Sequence, residues 1–158
     1  MSDATPHPEP TPEPPRPLGA DEEDLMRSLS RVIYALPRAL DADMAREQQL
    51  PLIEYQALMH LSEAPDRRLR MSDLATACAM SLSGMTGVTR RLEGQGFVRR
   101  VRCARDGRGW NAVLTEAGLA RLEEAWPTHL ASLRRHFLDH LTGLDLRALS
   151  AALRGIAL

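Results

Sequence analysis

The chain has 158 residues, of which 44% are hydrophobic and 26% are charged, which suits one globular domain or one domain with an added oligomerisation element. Aromatic residues make up only 4%, which excludes an aromatic stacking platform for single strands and disfavours an all-β sandwich. The net charge is −1, but residues 67–108 hold ten arginines against three acidic residues, a net charge of +7 that leaves −8 for the rest. Such a basic segment indicates a polyanionic partner.

Residues 1–19 contain seven of the eleven prolines, and we expect them to form a disordered or polyproline-like tail. The N-terminus lacks the apolar segment of a signal peptide, and the longest uncharged stretch is too short to span a membrane, so we expect a cytoplasmic protein. The two cysteines, Cys78 and Cys103, do not make a disulfide framework. Both fit small buried hydrophobic positions, and oxidation sensing through either one stays an alternative.

The first predicted helix runs from Asp21 to Met44, where apolar residues recur every three to four positions after an acidic start. Pro37 lies inside this helix and is expected to kink or break it. The apolar stripe is longer than one small core needs, which predicts packing against a second subunit. Residues 20–48 are therefore assigned to an N-terminal dimerisation helix.

A second helix is predicted from Pro51 to Ser62, followed by two short helices and a hairpin. Ser72 is a candidate cap for a helix over residues 73–79, and Ser81 or Ser83 for a helix that ends at Gln95 before a left-handed Gly96. The hydrophobic period then changes to two around a Gly-rich turn, which predicts a β-hairpin over residues 97–114. The order of these elements predicts a winged helix-turn-helix DNA-binding domain over residues 49–114.

The last predicted elements are a long helix from Thr115 to about Leu141, bent near Pro127, and a short helix over residues 144–156. Residues 115–158 are assigned to C-terminal dimerisation helices. The predicted fold class is mainly α with a small β-hairpin: a winged helix-turn-helix domain plus a helical dimerisation region formed by the N- and C-terminal helices.

The second short helix of the pair is expected to enter the DNA major groove. Its apolar residues Leu82, Met85, Val88 and Leu92 are predicted to face the core, with small, polar and cationic residues opposite. Gly84 and Gly87 indicate either close approach to DNA or tight helix packing. An arginine at the hairpin tip suits a narrow minor groove. The expected DNA-binding residues are Ser72, Ser81, Ser83, Gly84, Thr86, Gly87, Thr89, Arg90, Arg105, Asp106 and Arg108.

The stretches LPLIEYQALMHLSEAP, MSDLATACAMSLSGMTGVTRRLEGQGFVRR and RDGRGWNAVLTEAG resemble the MarR family of bacterial transcriptional regulators. The resemblance covers residues 50–156. It implies a homodimer that binds a pseudo-palindromic operator in double-stranded DNA, with repression as the commoner outcome. Asp106 and Arg108 take the places of the family's wing aspartate and minor-groove arginine. Gly107 departs from the arginine that is frequent there, and Arg105 is a candidate to compensate.

The resemblance also implies a small aromatic effector between the dimerisation helices and the winged lobe. The candidate lining residues are Tyr34, Tyr55, His60, Trp126 and His129. A metal-responsive regulator is an alternative, because His129, His136 and His140 share one face of the predicted long helix and the last two stand four residues apart, with Asp139 nearby. No metal or other cofactor is predicted.

Two other function classes, an enzyme and a winged helix that binds only proteins, have less support in the sequence. The sequence lacks the nucleophile elbow, the phosphate-binding loop and the paired-histidine zinc motif of common enzyme classes, so no catalytic activity is predicted. A winged helix that binds only proteins remains an alternative, although arginines at both the groove face and the wing tip favour DNA.

Overall fold

The structure is a computed structural model that describes residues 16–103 and 109–156. Within these two ranges, six helices and three strands form the framework, with short 3₁₀ turns at residues 65–67 and 138–141. In chain order the elements are α1 (Ala20–Gln48), α2 (Leu52–Glu63), β1 (Arg68–Arg70), α3 (Met71–Ala77), α4 (Leu82–Gly94), β2 (Val98–Arg102), β3 (Trp110–Leu114), α5 (Glu116–His136) and α6 (Leu146–Arg154). The predicted mainly helical fold with a small antiparallel sheet is confirmed.

Local hydrogen bonds explain where several helices begin and end. The Ser81 hydroxyl accepts a hydrogen bond from the Gly84 backbone N–H at 3.1 Å, and the Thr115 hydroxyl accepts one from the Gly118 N–H at 3.0 Å. Of the two candidate caps for α4, Ser81 is therefore the cap and Ser83 is not, and Thr115 caps α5, because each hydroxyl satisfies a backbone donor that the first helical turn leaves unpaired. Gly96 has a φ of +79°, the left-handed conformation predicted for the turn after α4.

The prediction for α3 was wrong at its start. Helix α3 begins at Met71 after Arg70, and Ser72 does not cap it. The Ser72 hydroxyl instead donates to the Asp73 carboxylate at 3.1 Å, inside the first turn. The upstream strand β1 leads directly into the helix, and this strand was not predicted because three residues are too few for an alternating pattern.

The two internal prolines do not break their helices. Helix α1 continues through Pro37 and α5 continues through Pro127, so the break considered at Pro37 does not occur. Leu40 and Met44 are buried just beyond Pro37, and tertiary packing of this kind offsets the lost backbone hydrogen bond. Helix α5 ends at His136 and not near Leu141, because the chain leaves the helical region at Phe137 (φ −144°, ψ −64°).

The sheet has the strand order β1-β3-β2, with both pairings antiparallel. The β2–β3 pair is the predicted hairpin, with Arg100 opposite Ala112. Strand β1 adds to the other edge of β3 and aligns Leu69 with Ala112. The residues that lead into α3 therefore belong to the same sheet as the hairpin.

The core lies between α2, α4, α5 and the sheet. Its fully buried members include Tyr55, Leu58, Leu74, Met85 and Leu92. Across the two described ranges, no helix is long and apolar enough to cross a membrane. Large apolar side chains at the two ends of the chain stay exposed, namely Leu25, Met26, Val32, Ile33 and Tyr34 near the start and Leu144, Leu146, Leu153 and Ile156 near the end.

Candidate nucleic-acid interface

Helix α4 is anchored on one side and open on the other. Met85, Val88 and Leu92 are almost completely buried, which fixes the rotation of the helix about its axis. Ser83 and Arg90 are exposed on the other side, and Thr86 and Gly87 are half-buried between them. The exposed side is therefore small, polar and cationic, a chemistry that suits a DNA groove.

Two residues of α4, Thr89 and Leu82, differ from the prediction in their burial. Thr89 is completely buried, and its hydroxyl donates to the Met85 carbonyl at 2.9 Å, so this side chain is not available to DNA. Leu82 was expected in the core but is 53% exposed. It is the first residue of α4, and the neighbouring elements cover the helix only from Met85 onward.

A concave surface of about 490 Å³ separates α4 from the sheet, and we call it the basic cleft. It contains three arginines, and among the described residues its lining includes no acidic residue. The positive charge and concave shape suit the phosphate backbone of a nucleic acid strand. The lining residues are Arg70, Met71, Ser72, Leu82, Thr86, Arg90, Arg100, Gly109 and Trp110.

Trp110 organises the arginines on the sheet side of the cleft. The guanidinium of Arg100 lies 5.9 Å from the centre of the indole ring, and that of Arg102 lies 5.4 Å from it. Both distances are within the range of cation–π attraction. The indole thus restrains two cationic side chains that would otherwise sample many rotamers.

Two ion pairs fix α4 relative to its neighbours. The guanidinium of Arg91 donates to the buried carboxylate of Glu54 on α2 at 2.6 Å. In the same last turn of α4, Glu93 accepts a hydrogen bond from the guanidinium of Arg100 on β2 at 2.7 Å. The hydrogen bonds from the side chain and backbone of Arg100 lower the pKa of Glu93. Sequence reasoning missed both acidic residues, because nothing in the local pattern identifies their partners.

The structure separates the two explanations that were open for the glycines of α4. A Cβ atom on Gly84 would lie 2.9 Å from the Met80 methyl group, so Gly84 is tightly packed. A Cβ atom on Gly87 would meet only an Arg91 nitrogen at 3.9 Å. Packing therefore accounts for Gly84 but not for Gly87, which lies on the open side of the helix.

The remaining predicted interface residues are two serines before or at the start of the helices and the residues of the wing tip. Ser72 lies in the basic cleft, and Ser81 is exposed with its hydroxyl engaged as the cap of α4. The wing-tip predictions Arg105, Asp106 and Arg108 lie outside the described residues, as does Gly107.

A second pocket, of about 380 Å³, lies between α2 and α5, and we call it the interhelical pocket. It includes two of the five predicted effector residues, Tyr55 and Trp126, and the His129 ring packs behind it with its centre 4.4 Å from that of Tyr55. His60 and Tyr34 are not among its lining residues, and Tyr34 is exposed on α1. The lining residues are Tyr55, Met59, Ser62, Glu63, Leu119, Leu122, Glu123 and Trp126.

Burial shifts the pKa values of Tyr55 and His129, the two polar rings of this region, in opposite directions. It raises the pKa of Tyr55 to about 12, with Glu63 contributing, and it lowers the pKa of His129. The Tyr55 hydroxyl and His129 Nδ1 are buried without a hydrogen-bond partner among the described residues. The interhelical pocket therefore has mostly apolar walls, with the carboxylates of Glu63 and Glu123 among its lining residues.

The predicted histidine stripe does not converge. His129 packs on Tyr55, His136 Nε2 lies 2.9 Å from the Asp43 carboxylate, and His140 Nε2 lies 3.0 Å from the Arg135 carbonyl. The prediction assumed one continuous helix, but α5 ends at His136. Within residues 16–103 and 109–156, no three His, Cys, Asp or Glu side chains are grouped to hold a metal.

The cysteines are both half-buried thiols. Burial raises the pKa of Cys78, which disfavours the reactive thiolate form. Cys103 follows the last residue of β2, next to the wing tip. The placement of Cys78 thus fits the packing role predicted for it.

Comparison with known proteins identifies the family. The MarR family model matches residues 48–109. The MarR family regulator Sco3205 of Streptomyces coelicolor, solved in complex with DNA, is 35% identical with a TM-score of 0.79, over 89% of this chain and 88% of that one. AbsC, a second MarR family regulator from S. coelicolor, is 40% identical with a TM-score of 0.78, over 89% and 94%.

A curated relative gives the same assignment over a shorter range. The transcriptional repressor YetL of Bacillus subtilis is 34% identical over 80 residues, which are 51% of this chain and about half (48%) of that protein. These relatives are transcriptional regulators and not enzymes, as predicted for this chain. The sequence motifs, the winged-helix architecture and the two well-covered solved relatives lead to one conclusion: the chain belongs to the MarR family of transcriptional regulators.

Proposed function

We propose that this regulator binds a specific pseudo-palindromic operator in double-stranded DNA as a homodimer and represses transcription by occupying it. The observation that carries the proposal is the exposed polar side of α4 beside the arginine-lined basic cleft. Helix α4 enters the major groove, where Ser83, Thr86 and Arg90 reach base edges or phosphates. The relative Sco3205, solved in complex with DNA, supports DNA binding by this chain.

The basic cleft binds the phosphate backbone that lies between the major and minor grooves. Arg70, Arg90 and Arg100 surround it from three different elements, so the sugar-phosphate strand is contacted from both sides. The wing tip then enters the adjacent minor groove, where the negative potential attracts Arg105 and Arg108. This division assigns positioning to the cleft and sequence readout to α4.

The dimer forms through the two ends of the chain. Leu25, Ile33 and Tyr34 of α1 and Leu146 and Leu153 of α6 are about half or more exposed in the single chain. An apolar surface of this extent favours association with a second copy. A two-fold dimer presents two α4 helices to successive turns of the same DNA face.

Effector control operates through the interhelical pocket. A small aromatic molecule fits between Tyr55 and Trp126, where it lies beside the α5 helix that links the winged domain to the dimerisation region. The carboxylates of Glu63 and Glu123 favour a neutral or cationic ring over an aromatic acid. Occupation of the pocket shifts the population of lobe spacings and so changes DNA affinity.

The test is fluorescence anisotropy with the duplex upstream of the protein's own gene and a scrambled duplex, at two salt concentrations. We expect tighter binding to the native duplex and a steep loss of affinity with salt. Arg90→Ala should weaken binding by about tenfold or more, whereas the matched charge change Arg38→Ala on α1 should have little effect. Absence of binding to any duplex at low salt contradicts the proposal and favours a protein-binding winged helix.

A further inference from the structure

Helix α4 exposes one large apolar side chain on the surface that the proposed function turns toward DNA. Leu82 is 53% exposed, whereas Met85, Val88 and Leu92 of the same helix are between 0 and 2% exposed. The core is therefore complete without Leu82. Its side chain leaves apolar surface in water in the free protein, which costs free energy unless a partner covers it.

The neighbours of Leu82 identify what that partner is. Thr86 and Arg90 follow at one-turn intervals along α4, and all three residues line the basic cleft. Thr86 and Arg90 suit phosphates and base edges, but a leucine gains nothing from a phosphate. The apolar group that DNA presents in its major groove is the C5 methyl of thymine.

We propose that Leu82 contacts a thymine methyl group in each half of the operator and thereby selects thymine over cytosine at that position. The inference rests on the proposed function, because it requires α4 in the major groove. It adds a base-reading role for a side chain that the helical pattern had assigned to the core. The first position of α4 suits this role, since the N-terminal residues of a recognition helix contact base edges.

The experiment separates the methyl group from every other feature of the base. An operator is first selected from a random duplex library with the full chain. Each thymine is then replaced singly by deoxyuridine, which removes only the C5 methyl. For the wild-type chain we expect one position in each half-site where deoxyuridine weakens binding roughly fourfold, the factor for one buried methyl-sized group.

Leu82→Ala should lower the affinity for the thymine operator and abolish the thymine–deoxyuridine difference at that position alone. Leu82→Met, which keeps an apolar side chain of similar length, should restore much of the difference. Ser83→Ala should change the overall affinity but keep the deoxyuridine penalty. Because Leu82 is exposed, far-UV circular dichroism and the thermal midpoint should not change, which excludes a folding defect.

Three results overturn the inference. They are a wild-type chain indifferent to deoxyuridine at every position, a selected operator without thymine, and a penalty that persists in Leu82→Ala. In all three the selected operator still binds specifically, so the proposed function stands. If the library yields no preferred sequence, the proposed function itself fails and the thymine contact fails with it.

Discussion

Glu93, in the last turn of α4, accepts two hydrogen bonds from Arg100 on β2: one from the backbone N–H at 3.1 Å and one from the guanidinium Nε at 2.7 Å. The same guanidinium lies 5.9 Å from the Trp110 ring centre. One carboxylate therefore couples the end of the groove-facing helix to the strand that leads to the wing. The two elements proposed to face DNA are held at a defined separation by this contact.

Glu93→Ala should loosen that separation and weaken specific DNA binding by about tenfold, because a small misplacement of either element prevents simultaneous contact. The loss of folding stability should be about 1 kcal/mol or less, since the pair is partly exposed. Anisotropy and urea unfolding measure the two effects. Glu124→Ala, which removes an exposed ion pair with Arg121 on α5 away from the cleft, is the control, and equal loss of DNA affinity in both variants would contradict the positioning role.

Asp43 joins α1 to α5 through a buried cluster. Its carboxylate accepts hydrogen bonds from the Ser132 hydroxyl at 2.7 Å, from His136 at 2.9 Å and from Arg46 at 2.6 Å. These contacts, with Ser132 the strongest, hold the pKa of Asp43 well below its usual value despite its burial. The cluster connects residues 89 positions apart in the chain.

Asp43→Asn should lower the free energy of unfolding at neutral pH by about 2 kcal/mol, because it removes the negative charge that pairs with the guanidinium groups of Arg46 and Arg135. The contribution of Asp43 is fully present above its unfolded pKa of 3.8 and is lost as pH falls through the lower folded value. Chemical unfolding at pH 7 and below pH 4 should therefore show the variant and the wild type converging in acid. A constant difference at all pH values would contradict the linkage, and Asp24→Asn, on an exposed site, should show neither effect.

Gly118 packs the start of α5 directly against the chain entering β2. A Cβ atom at this position would lie 2.1 Å from the Phe97 carbonyl oxygen and 2.7 Å from Leu114. Gly118→Ala should destabilise the fold by about 2 kcal/mol, because the backbone must shift to admit the methyl group. Gly94→Ala, which meets nothing within 4 Å, should leave stability unchanged or raise it by about 1 kcal/mol. Urea unfolding compares the two, and similar effects would refute the close contact.

Ile33 of α1 is 57% exposed and belongs to the apolar surface assigned to the dimer. Ile33→Glu should convert the dimer to a monomer, because it would bury an unpaired charge in the subunit interface. Light scattering after size-exclusion chromatography measures the mass. Arg99→Glu changes more charge but lies on an exposed position of β2, away from the apolar surface at the two ends of the chain, so it should remain dimeric. A dimeric Ile33→Glu would place the interface elsewhere.

The elements that depend on short-range chemistry were predictable. The caps at Ser81 and Thr115 each join residues three positions apart, so the sequence alone identifies the bond. The left-handed Gly96 and the β2–β3 hairpin have the same local origin. The end of α5 was not predictable, because the apolar period continues past His136 although the backbone leaves the helix at Phe137.

The candidate site likewise has some features that the local sequence predicts and others that depend on tertiary packing. By itself, the sequence determined the winged-helix order and the basic segment, and it predicted α4 as the groove-facing helix, because periodicity and charge are carried along the chain. Only the tertiary structure decided that Thr89 is buried, that Leu82 is exposed, and that Tyr55 and Trp126 share a pocket without Tyr34. The physical reason is that burial depends on how far neighbouring elements extend over each side chain. That distance is set by packing between residues far apart in sequence, and no local pattern records it.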